Sequence, residues 1–537
     1  MSERHHWPNK WIFILAAVGS AAGLGNLWRF PYLAYEHGGG AFLLVIILAN
    51  LIVGIPLLLS EIAIGQKMQK AAPDALEKIK KGYRYIGWTM VTFGFFVVSY
   101  YVAVMSWGLD YLVGSFSLPT WAMDTKSYFF ENILQLSEGP GVMGGFSWPV
   151  LLGAIVAWVA IYFSVWKGVK SVSKVVVWSA TLPFIILAIL IIRAVTLDGS
   201  GAGLQLFFMP DWSALGDRQL WLAAFSQVFF SLSIAFGVMM AYGSYQPERS
   251  ELTKSVVYIT IGNFLVSIMS GIVVFGTLGY MALQQGVPIS DVVTGGPGLA
   301  FVVFPQAISL LPGFAVLFAV LFFIMFFFLA LDSAFSLIEG LTTPFRDRYP
   351  NVSSKKISFY ICLVAFIVGS LYTTKAGLYY LDITDHFLVN YGIIIMGFLL
   401  SVIVGWVWKG DELKNFINEH SDWKIGTSWS IAVKYIIPIF LIILFVINVM
   451  NEFKTPYEGY PMWSLLVFGL GPLILSPIIG FIVDKKTSPK SEHSSDDSSS
   501  DDSSSDDSSS DDSSSDDSSS DDSSSDDSSS EKDKVLF

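Results

Sequence analysis

Long apolar runs separated by short polar stretches fill the chain from residue 11 to residue 484. A membrane-spanning helix needs about 20 predominantly apolar residues, and twelve segments meet that requirement. The predicted spans are 11–34, 39–66, 86–115, 148–166, 174–196, 220–245, 253–283, 309–341, 355–373, 386–408, 430–451 and 462–484. The pattern therefore predicts an all-α polytopic membrane protein with twelve transmembrane helices.

Two of these spans are interrupted by small residues. The first reads Gly-Ser-Ala-Ala-Gly-Leu-Gly-Asn from Gly19 to Asn26, and the sixth reads Ser-Leu-Ser-Ile-Ala-Phe-Gly from Ser231 to Gly237. Small residues weaken a helix, although they also permit close helix packing. Interrupted helices at corresponding positions of two halves are typical of inverted-repeat transporters with a midplane site. Since such backbone persists in a bilayer only where it lines a cavity or meets a ligand, the pair predicts a binding site.

Polar side chains inside the apolar spans support the same hypothesis. Asp332 follows the run Phe-Phe-Phe-Leu-Ala-Leu, and an ionisable group there costs at least about 2.5 kcal/mol. We therefore favour a functional role over a purely structural one. Oxygen ligands without a His or Cys cluster suit a hard cation. Glu61 is predicted to cap broken backbone, and the role of Glu339 stays open. The other polar residues in these spans are Asn26, Gln227, Ser231, Asn263 and Ser333.

Composition changes the picture mainly at the C-terminus. The chain is 53% hydrophobic and 14% charged, which excludes a soluble domain of this length. The formal charge of −12 comes from residues 485–537, where 17 acidic and 5 basic residues include seven consecutive Asp-Asp-Ser-Ser-Ser units. This segment lacks apolar periodicity and is predicted to be a disordered cytoplasmic tail. The neutral remainder predicts no nucleic-acid partner. The predicted domains are 1–10, a cytoplasmic N-terminal segment; 11–484, the twelve-helix domain; and the tail, 485–537.

Basic residues set the expected orientation. Of the 27 in the body, 21 fall on the side that holds both termini, so the positive-inside rule predicts that both termini are cytoplasmic, in the plasma (inner) membrane. Cys362 is the only cysteine, so no internal disulfide can form. The chain shows no Ser-His-Asp, Cys-His or metal-binding constellation, and we expect no enzymatic activity.

The interrupted first span carries a family resemblance. Residues Trp11 through Phe42, with Gly-Ser-Ala-Ala-Gly-Leu-Gly-Asn-Leu-Trp-Arg-Phe-Pro, resemble the neurotransmitter:sodium symporter family, which includes the bacterial leucine transporter. The match continues through Tyr100-Tyr101, Gln227–Ser233, Asn263 and Leu331–Ser333, and it covers residues 4–484. The resemblance implies a LeuT-type fold of two inverted five-helix repeats (5+5), with helices 1 and 6 interrupted. It also implies sodium-coupled import of a small molecule by alternating access.

Two sodium sites follow from the resemblance. The first would use the Ala21 carbonyl, the substrate carboxylate, and side chains of Asn26, Ser231 and Asn263. The second would use the carbonyls of Gly19, Ala22 and Leu329, with side-chain oxygens of Asp332 and Ser333. The implied substrate site comprises Ala21, Leu24, Gly25, Val97, Tyr101, Phe230, Ser231, Ser233, Phe236, Ser333 and Leu337.

The resemblance also implies gates. Arg29 and Asp385 would close the outer side, with Phe230 as a lid. Arg4 and Asp347 would latch the inner side, near Trp7 and Tyr245.

A chloride site would lie at Gln227, Ser231, Asn263 and Ser267. Ser267 replaces the glutamate of the bacterial leucine transporter, which favours chloride. Ile46 stands where chloride-dependent members have a tyrosine, which opposes it. Chloride dependence therefore stays open at this point.

The substrate is inferred from what the pocket lacks. Gly23 occupies the position where monoamine carriers of the family place an aspartate, so the substrate should bring its own carboxylate. No charged side chain faces the rest of the substrate, and a buried unpaired charge is costly. We expect a small neutral, hydrophobic amino acid. A non-transporting amino-acid sensor on the same fold is the alternative. The sequence does not determine the oligomeric state.

Overall fold

A computed structural model of the protein describes residues 5–117, 119–293, 295–408 and 410–487. Arg4 and all of the predicted tail beyond Thr487 lie outside the described residues. Within them the regular elements are helices, and extended backbone pairs only at two isolated bridges, Gly39 with Pro210 and Phe146 with Thr374. This confirms the predicted all-α class.

Fourteen helices build the apolar body. In chain order they are α1 (Lys10–Ala21), α2 (Gly25–Glu36), α3 (Gly40–Met68), α4 (Arg84–Ser117), α5 (Trp148–Val165), α6 (Val169–Val195), α7 (Arg218–Ser231), α8 (Val238–Gly243), α9 (Thr253–Gln285), α10 (Ala315–Arg348), α11 (Ser354–Thr373), α12 (Gly377–Val407), α13 (Thr427–Gly459) and α14 (Met462–Thr487). Shorter helices connect them, at Ala72–Ile79, Pro119–Ala122, Thr125–Ser127, Tyr128–Ile133, Ser200–Phe208, Trp212–Gly216, Ile289–Asp291, Leu299–Ser309 and Asp411–His420.

Ten helices in the described part of the chain are long and apolar enough to cross a membrane. The α1–α2 pair passes the same test as one span bent by 60°. Helices α7 and α8 are separated by residues 232–237, which leave the helical path. Both predicted interruptions are therefore present, and the protein is a multi-pass membrane protein.

Several span boundaries differ from the sequence prediction, among them both ends of the span predicted as 309–341. The span predicted as 309–341 is α10, which starts later because Phe314 before it has a left-handed φ of 58°. It continues to Arg348 because the helix accommodates Pro344 in its interior.

The span predicted as 386–408 begins earlier, at Gly377, in α12. Asp382, Asp385 and His386 lower the local hydropathy, but each has a polar partner. Asp382 accepts hydrogen bonds from Tyr457 and Tyr460, both at 2.9 Å. Helix α12 therefore extends through this polar stretch.

Helix α10 organises the centre of the molecule. It packs against α1, α4, α6 and α8, so both interrupted helices lie against it. A Cβ built on Gly19 of α1 would come within 2.5 Å of Asp332 Oδ2 in α10. Glycine at this position is therefore what permits α1 to approach the carboxylate.

Candidate functional site

The break between α1 and α2 leaves backbone amides that side chains satisfy. Asn26 Oδ1 accepts a hydrogen bond from the Gly23 N–H at 3.2 Å. The Leu24 N–H donates to the Tyr101 hydroxyl at 3.4 Å. In a bilayer these freed backbone groups need such partners. Asn26 and Tyr101 therefore stabilise the break by accepting hydrogen bonds from its amides.

The break between α7 and α8 contains backbone in the left-handed region. Ser233, Ala235 and Gly237 have φ values of 53°, 73° and 74°, which are uncommon for residues other than glycine. Glu61 is fully buried, and its Oε1 accepts the Ala235 N–H at 2.6 Å. The prediction that Glu61 caps broken backbone is confirmed. The Ser233 hydroxyl donates to the Ser20 carbonyl at 3.0 Å, which ties the two breaks together.

A cavity lies between the two breaks. All eleven predicted substrate residues line it: Ala21, Leu24, Gly25, Val97, Tyr101, Phe230, Ser231, Ser233, Phe236, Ser333 and Leu337. Ser20, Gly23 and Asn26 complete the wall. None of these side chains carries a charge. The structure thus brings the set together, while its binding role stays a prediction.

Two glycines keep backbone open to this cavity. A Cβ on Gly23 would lie 2.6 Å from Ser333 Oγ and 3.3 Å from the Tyr101 hydroxyl. A Cβ on Gly25 would lie 2.6 Å from the Phe230 ring. Any larger residue would therefore fill the cavity or displace its walls.

Four neutral side chains form what we call the amide cluster: Asn26, Ser231, Asn263 and Ser267. Asn26 Nδ2 donates to Asn263 Oδ1 at 2.9 Å and to Ser267 Oγ at 2.7 Å. Asn263 Nδ2 donates to Ser231 Oγ at 2.7 Å. These residues were predicted for the first sodium site or the chloride site, and here they are one hydrogen-bonded group.

A small void adjoins the amide cluster. It is lined by the four predicted chloride residues Gln227, Ser231, Asn263 and Ser267, and also by Ile46 and Asn50. Gln227 Oε1 and Asn50 Oδ1 are buried there without hydrogen-bond partners. Sequence reasoning did not select Asn50. The available signal was an amide inside α3, one of the most apolar spans.

The second predicted sodium set, which we call the acid site, comprises Gly19, Ala22, Leu329, Asp332 and Ser333. Asp332 is 1% exposed, and its Oδ1 has no hydrogen-bond partner. The Ser333 hydroxyl donates to the carbonyl of Ser20, a residue that sequence reasoning missed, at 3.3 Å. Ala22 directly follows α1, and Leu329 lies one turn before Asp332; both are buried.

The acid site fits a sodium ion. A buried carboxylate oxygen without a donor, beside the backbone of a broken helix, offers the oxygen ligands that hard cations take. Within the described residues no group of three or more His, Cys, Asp and Glu side chains could hold a metal. The oxygen atoms at the acid site are thus compatible with a hard cation, and its sodium role stays a prediction.

A vestibule of about 610 Å³ opens above the pocket and shares Phe230 with it. Arg29 and Asp385 both line the vestibule, yet they do not form the predicted ion pair, since no N–O distance between them is within 4.0 Å. The Arg29 guanidinium lies 5.2 Å from the Phe230 ring centroid. Asp385 accepts the Tyr100 hydroxyl at 2.5 Å. The open vestibule keeps the pair apart, and its gating role stays a prediction.

The opposite end of the pocket is packed. Trp7 donates from its indole to the Tyr242 carbonyl and from its backbone to the Tyr245 carbonyl, both at 3.0 Å. The Tyr245 hydroxyl donates to Glu339 at 2.9 Å. Trp7 and Tyr245 therefore do meet at this end, and their role at an inner gate stays a prediction.

The sequence left the role of Glu339 open, and the structure shows its partner. Buried Glu339 forms an ion pair with Arg346. Arg346 Nη2 also donates to the Val165 carbonyl at 3.1 Å and to Ser358 at 3.0 Å. This network joins α10 to the end of α5 and to α11.

Asp347 lies at the same end of the molecule. It accepts the Ala71 N–H at 2.9 Å and pairs with Lys70 at 3.8 Å. Its predicted partner Arg4 lies outside the described residues, so the latch between the two stays a prediction.

The chain is similar to known proteins over most of its length. A profile of the sodium:neurotransmitter symporter family matches residues 4–125 and 120–485. An uncharacterized sodium-dependent transporter of Methanocaldococcus jannaschii is 40% identical over 91% of this chain and 99% of its own length. The sodium- and chloride-dependent GABA transporter 2 of Mus musculus is 33% identical over 86% of this chain and 83% of its own. The sodium- and chloride-dependent creatine transporter 1 of Bos taurus is 34% identical, over 88% and 82%.

Proposed function

This chain belongs to the sodium:neurotransmitter symporter family, and on that premise we propose that it imports a small neutral, hydrophobic amino acid together with sodium by alternating access. Its family and relatives are transporters, so it is a sodium-dependent transporter and not an enzyme. One observation carries the proposal: a pocket without charged side chains lies between two broken helices, beside a buried carboxylate with an unpartnered oxygen.

The proposed architecture has twelve spans. The α7–α8 pair would be the twelfth, added to the ten long helices and the bent α1–α2 pair. The breaks lie in the first and sixth of these spans, five spans apart, as expected for two inverted five-helix repeats. We propose that both termini are cytoplasmic and that the protein lies in the plasma membrane.

The substrate carboxylate is proposed to bind at the first break. The backbone N–H groups near Leu24 and Gly25 and the Tyr101 hydroxyl line that side of the pocket. From there the carboxylate could also complete a sodium site with the Ala21 carbonyl and the amide cluster. Each partner would then increase the affinity for the other by the same factor. A second sodium would bind at the acid site without touching the substrate.

The rest of the pocket favours an apolar side group. Val97, Phe236 and Leu337 form its far wall. Two relatives are named for GABA and creatine, molecules with a cationic group remote from the carboxylate. This pocket offers no acidic side chain to such a group, and an unpaired buried ammonium is costly. We therefore propose a neutral α-amino acid with a small hydrophobic side chain.

The described conformation fits one step of the cycle. The vestibule is open while Trp7 and Tyr245 pack the opposite end, which supports an outward-facing state in the proposed orientation. Closure would bring Arg29 toward Asp385 and move Phe230 over the substrate. Opening of the inner end would then require Trp7 to leave the Tyr242 and Tyr245 carbonyls.

The proposal also includes a chloride site. Two sodium ions and a zwitterionic amino acid leave two excess positive charges, of which Asp332 offsets only one. We propose that the void at Gln227, Ser231 and Ser267 holds an anion, as the word chloride in the names of the GABA and creatine relatives suggests. Ile46 in its wall supplies no hydroxyl, so the anion would depend on the remaining donors.

Transport is tested in proteoliposomes that contain the purified protein. Uptake of radiolabelled alanine or leucine should follow an inward sodium gradient and vanish when potassium replaces sodium. Excess unlabelled GABA or creatine should compete poorly. Counterflow at equal sodium on both sides separates a transporter from a sensor, since a sensor binds amino acid but shows no exchange. Binding without exchange would overturn the proposal.

A further inference from the structure

An apolar groove lies between α5 and α11, away from the transport pocket. Its volume is about 230 Å³, and it is lined by apolar and aromatic side chains that include Ile155, Val159, Phe163, Phe359, Leu363 and Phe366. Val159, Phe163 and Phe359 are each at least half exposed. Because both helices belong to the set that crosses the membrane, the groove opens toward lipid.

The length of the groove matches one leaflet. From Ile155 to Phe163 a helix rises about 12 Å, and half of the hydrocarbon core is about 15 Å thick. On α11 the wall runs from Phe359 to Phe366. The groove therefore has the length of a stretched acyl segment within a single leaflet.

Two positive charges converge at one end of the groove. Trp166 follows the groove residue Phe163 by one turn, with ring centroids 5.6 Å apart. Lys167 Nζ lies 4.5 Å and Lys355 Nζ 4.8 Å from the centroid of the Trp166 ring. Neither ammonium has a carboxylate within 4.0 Å among the residues that the structure describes. The groove thus ends at a tryptophan flanked by two cations with no acidic partner.

We infer that this groove is a binding site for one anionic phospholipid, with an acyl chain along α5 and α11 and the phosphate held by Lys167 and Lys355. Apolar walls of leaflet length and the paired charge at the end are the features that this occupant needs. A zwitterionic lipid would gain the walls, but its own headgroup cation would offset the charge of its phosphate and compete with the two lysines. The inference does not depend on the transported substrate.

The groove adjoins the hydrogen-bond network of Arg346 and Glu339. The Val165 carbonyl and the Ser358 hydroxyl, both bound by Arg346, are one residue from Trp166 and Phe359. An occupied groove would therefore brace the ends of α5 and α11 where Arg346 holds them. We expect the lipid to raise the unfolding temperature of the full-length protein.

Native mass spectrometry of the detergent-purified full chain tests the site. The probes are phosphatidylglycerol and phosphatidylcholine with identical acyl chains. One lysine near an anionic surface contributes about fivefold in affinity, so two give about 30-fold in favour of phosphatidylglycerol. The double variant Lys167→Gln/Lys355→Gln should lose most of this preference. The exposed groove variant Val159→Trp should lower retention of both lipids.

The matched control is Lys170→Gln/Lys174→Gln. It removes two exposed lysines from the start of α6, close in sequence to Lys167. It should retain the preference and the lipid-dependent rise in unfolding temperature. Equal retention of the two lipids by the wild type would overturn the inference. So would an equal loss in the control, which would indicate diffuse attraction. If Val159→Trp instead converted a dimer to a monomer without changing lipid retention, the groove would belong to a second copy of the chain.

Discussion

The acid site and the amide cluster both adjoin the break between α1 and α2, the first through α10 and the second through α9, and they differ in how their polar atoms are satisfied. The acid site holds one formal charge, and Asp332 Oδ1 has no partner. The amide cluster is neutral, and its four side chains bond to one another. A buried carboxylate oxygen without a partner is costly, which supports the proposal that a cation completes the acid site. The amide cluster is already satisfied without one.

Because of this difference, we expect sodium binding at the two sites to depend differently on the substrate. A cation at the amide cluster must replace hydrogen bonds that already exist and find negative charge elsewhere. The proposed sources are an anion in the adjoining void and the substrate carboxylate at Leu24 and Gly25, and only the carboxylate would also ligate the cation. We therefore expect sodium to bind the acid site without substrate and the amide cluster only with it.

The largest effect is expected at the acid site. Asp332→Asn keeps the shape and removes the charge, and Asp332→Ala removes both. Loss of about 3 kcal/mol of cation binding lowers affinity more than 100-fold, so uptake in proteoliposomes should be abolished in both variants. Ser336→Ala, one turn further along α10, removes hydrogen bonds to the Ser333 carbonyl and from the Ser20 hydroxyl, both at 2.8 Å, without removing a charge, and serves as the control. Robust uptake by Asp332→Ala with unchanged sodium dependence would refute the second-site assignment.

Gly23 tests the effect of a charge at the proposed substrate site. In Gly23→Asp a new carboxylate would repel the substrate's own, so amino-acid binding should be lost. Gly23→Ala is the steric control. Its Cβ would meet Ser333 Oγ at 2.6 Å, and we expect a loss of about tenfold, which corresponds to 1.4 kcal/mol.

Binding by Gly23→Asp at wild-type affinity would show that the substrate does not lie against the break. An equal loss in both variants would mean that space, and not charge, decides the result.

Ser267 tests whether the amide cluster lacks negative charge. Ser267→Glu would place a permanent charge beside Asn26, whose Nδ2 donates to Ser267 at 2.7 Å. Uptake should then be the same in chloride and in gluconate, whereas wild-type uptake should fall several-fold in gluconate. Ser267→Gln has the same size without the charge and should not rescue uptake.

Two outcomes would contradict this view. Equal wild-type uptake in the two media would show that Ile46 marks a lost chloride site. Chloride dependence that persists in Ser267→Glu would place the anion elsewhere.

The smallest effect is expected from the acidic tail. Deleting residues 487–537 removes Asp and Ser repeats that carry no apolar pattern, and their charge is screened beyond about 10 Å at 0.1 M salt. Initial uptake rates at equal protein per liposome should be nearly unchanged. A several-fold loss of turnover would mean that the tail acts on the inner end of the transporter, near Trp7 and Tyr245.

The sequence predicted the pocket better than the gates. The eleven pocket residues were implied by the family resemblance, and all of them line one cavity, some from the two breaks and the others from α4 and α10. The acceptor of the Ala235 N–H was predicted from local pattern alone, since Glu61 is a rare acid in an apolar span. The position of the breaks is therefore readable from the sequence, whereas the contribution of α4 and α10 to the pocket required the resemblance.

Other features depend on conformation or on distant contacts. Arg29 and Asp385 are apart because the vestibule is open, and the conformational state is not encoded in any one segment. Arg346 pairs with Glu339 two turns earlier on α10 and reaches α5 through Val165, a contact that requires the fold. Asn50 was overlooked because one amide in an apolar run is also compatible with simple packing.

The most direct test is the reciprocity of sodium and amino-acid binding. A thermal-shift screen of the twenty amino acids in sodium and in potassium identifies the ligand, and equilibrium binding then measures its Kd across a range of sodium concentrations. We expect the amino acid to bind more tightly as sodium rises, and sodium to bind more tightly with the amino acid by the same factor. Identical amino-acid affinity in sodium and in potassium would contradict the proposal that the substrate carboxylate completes a sodium site at the amide cluster.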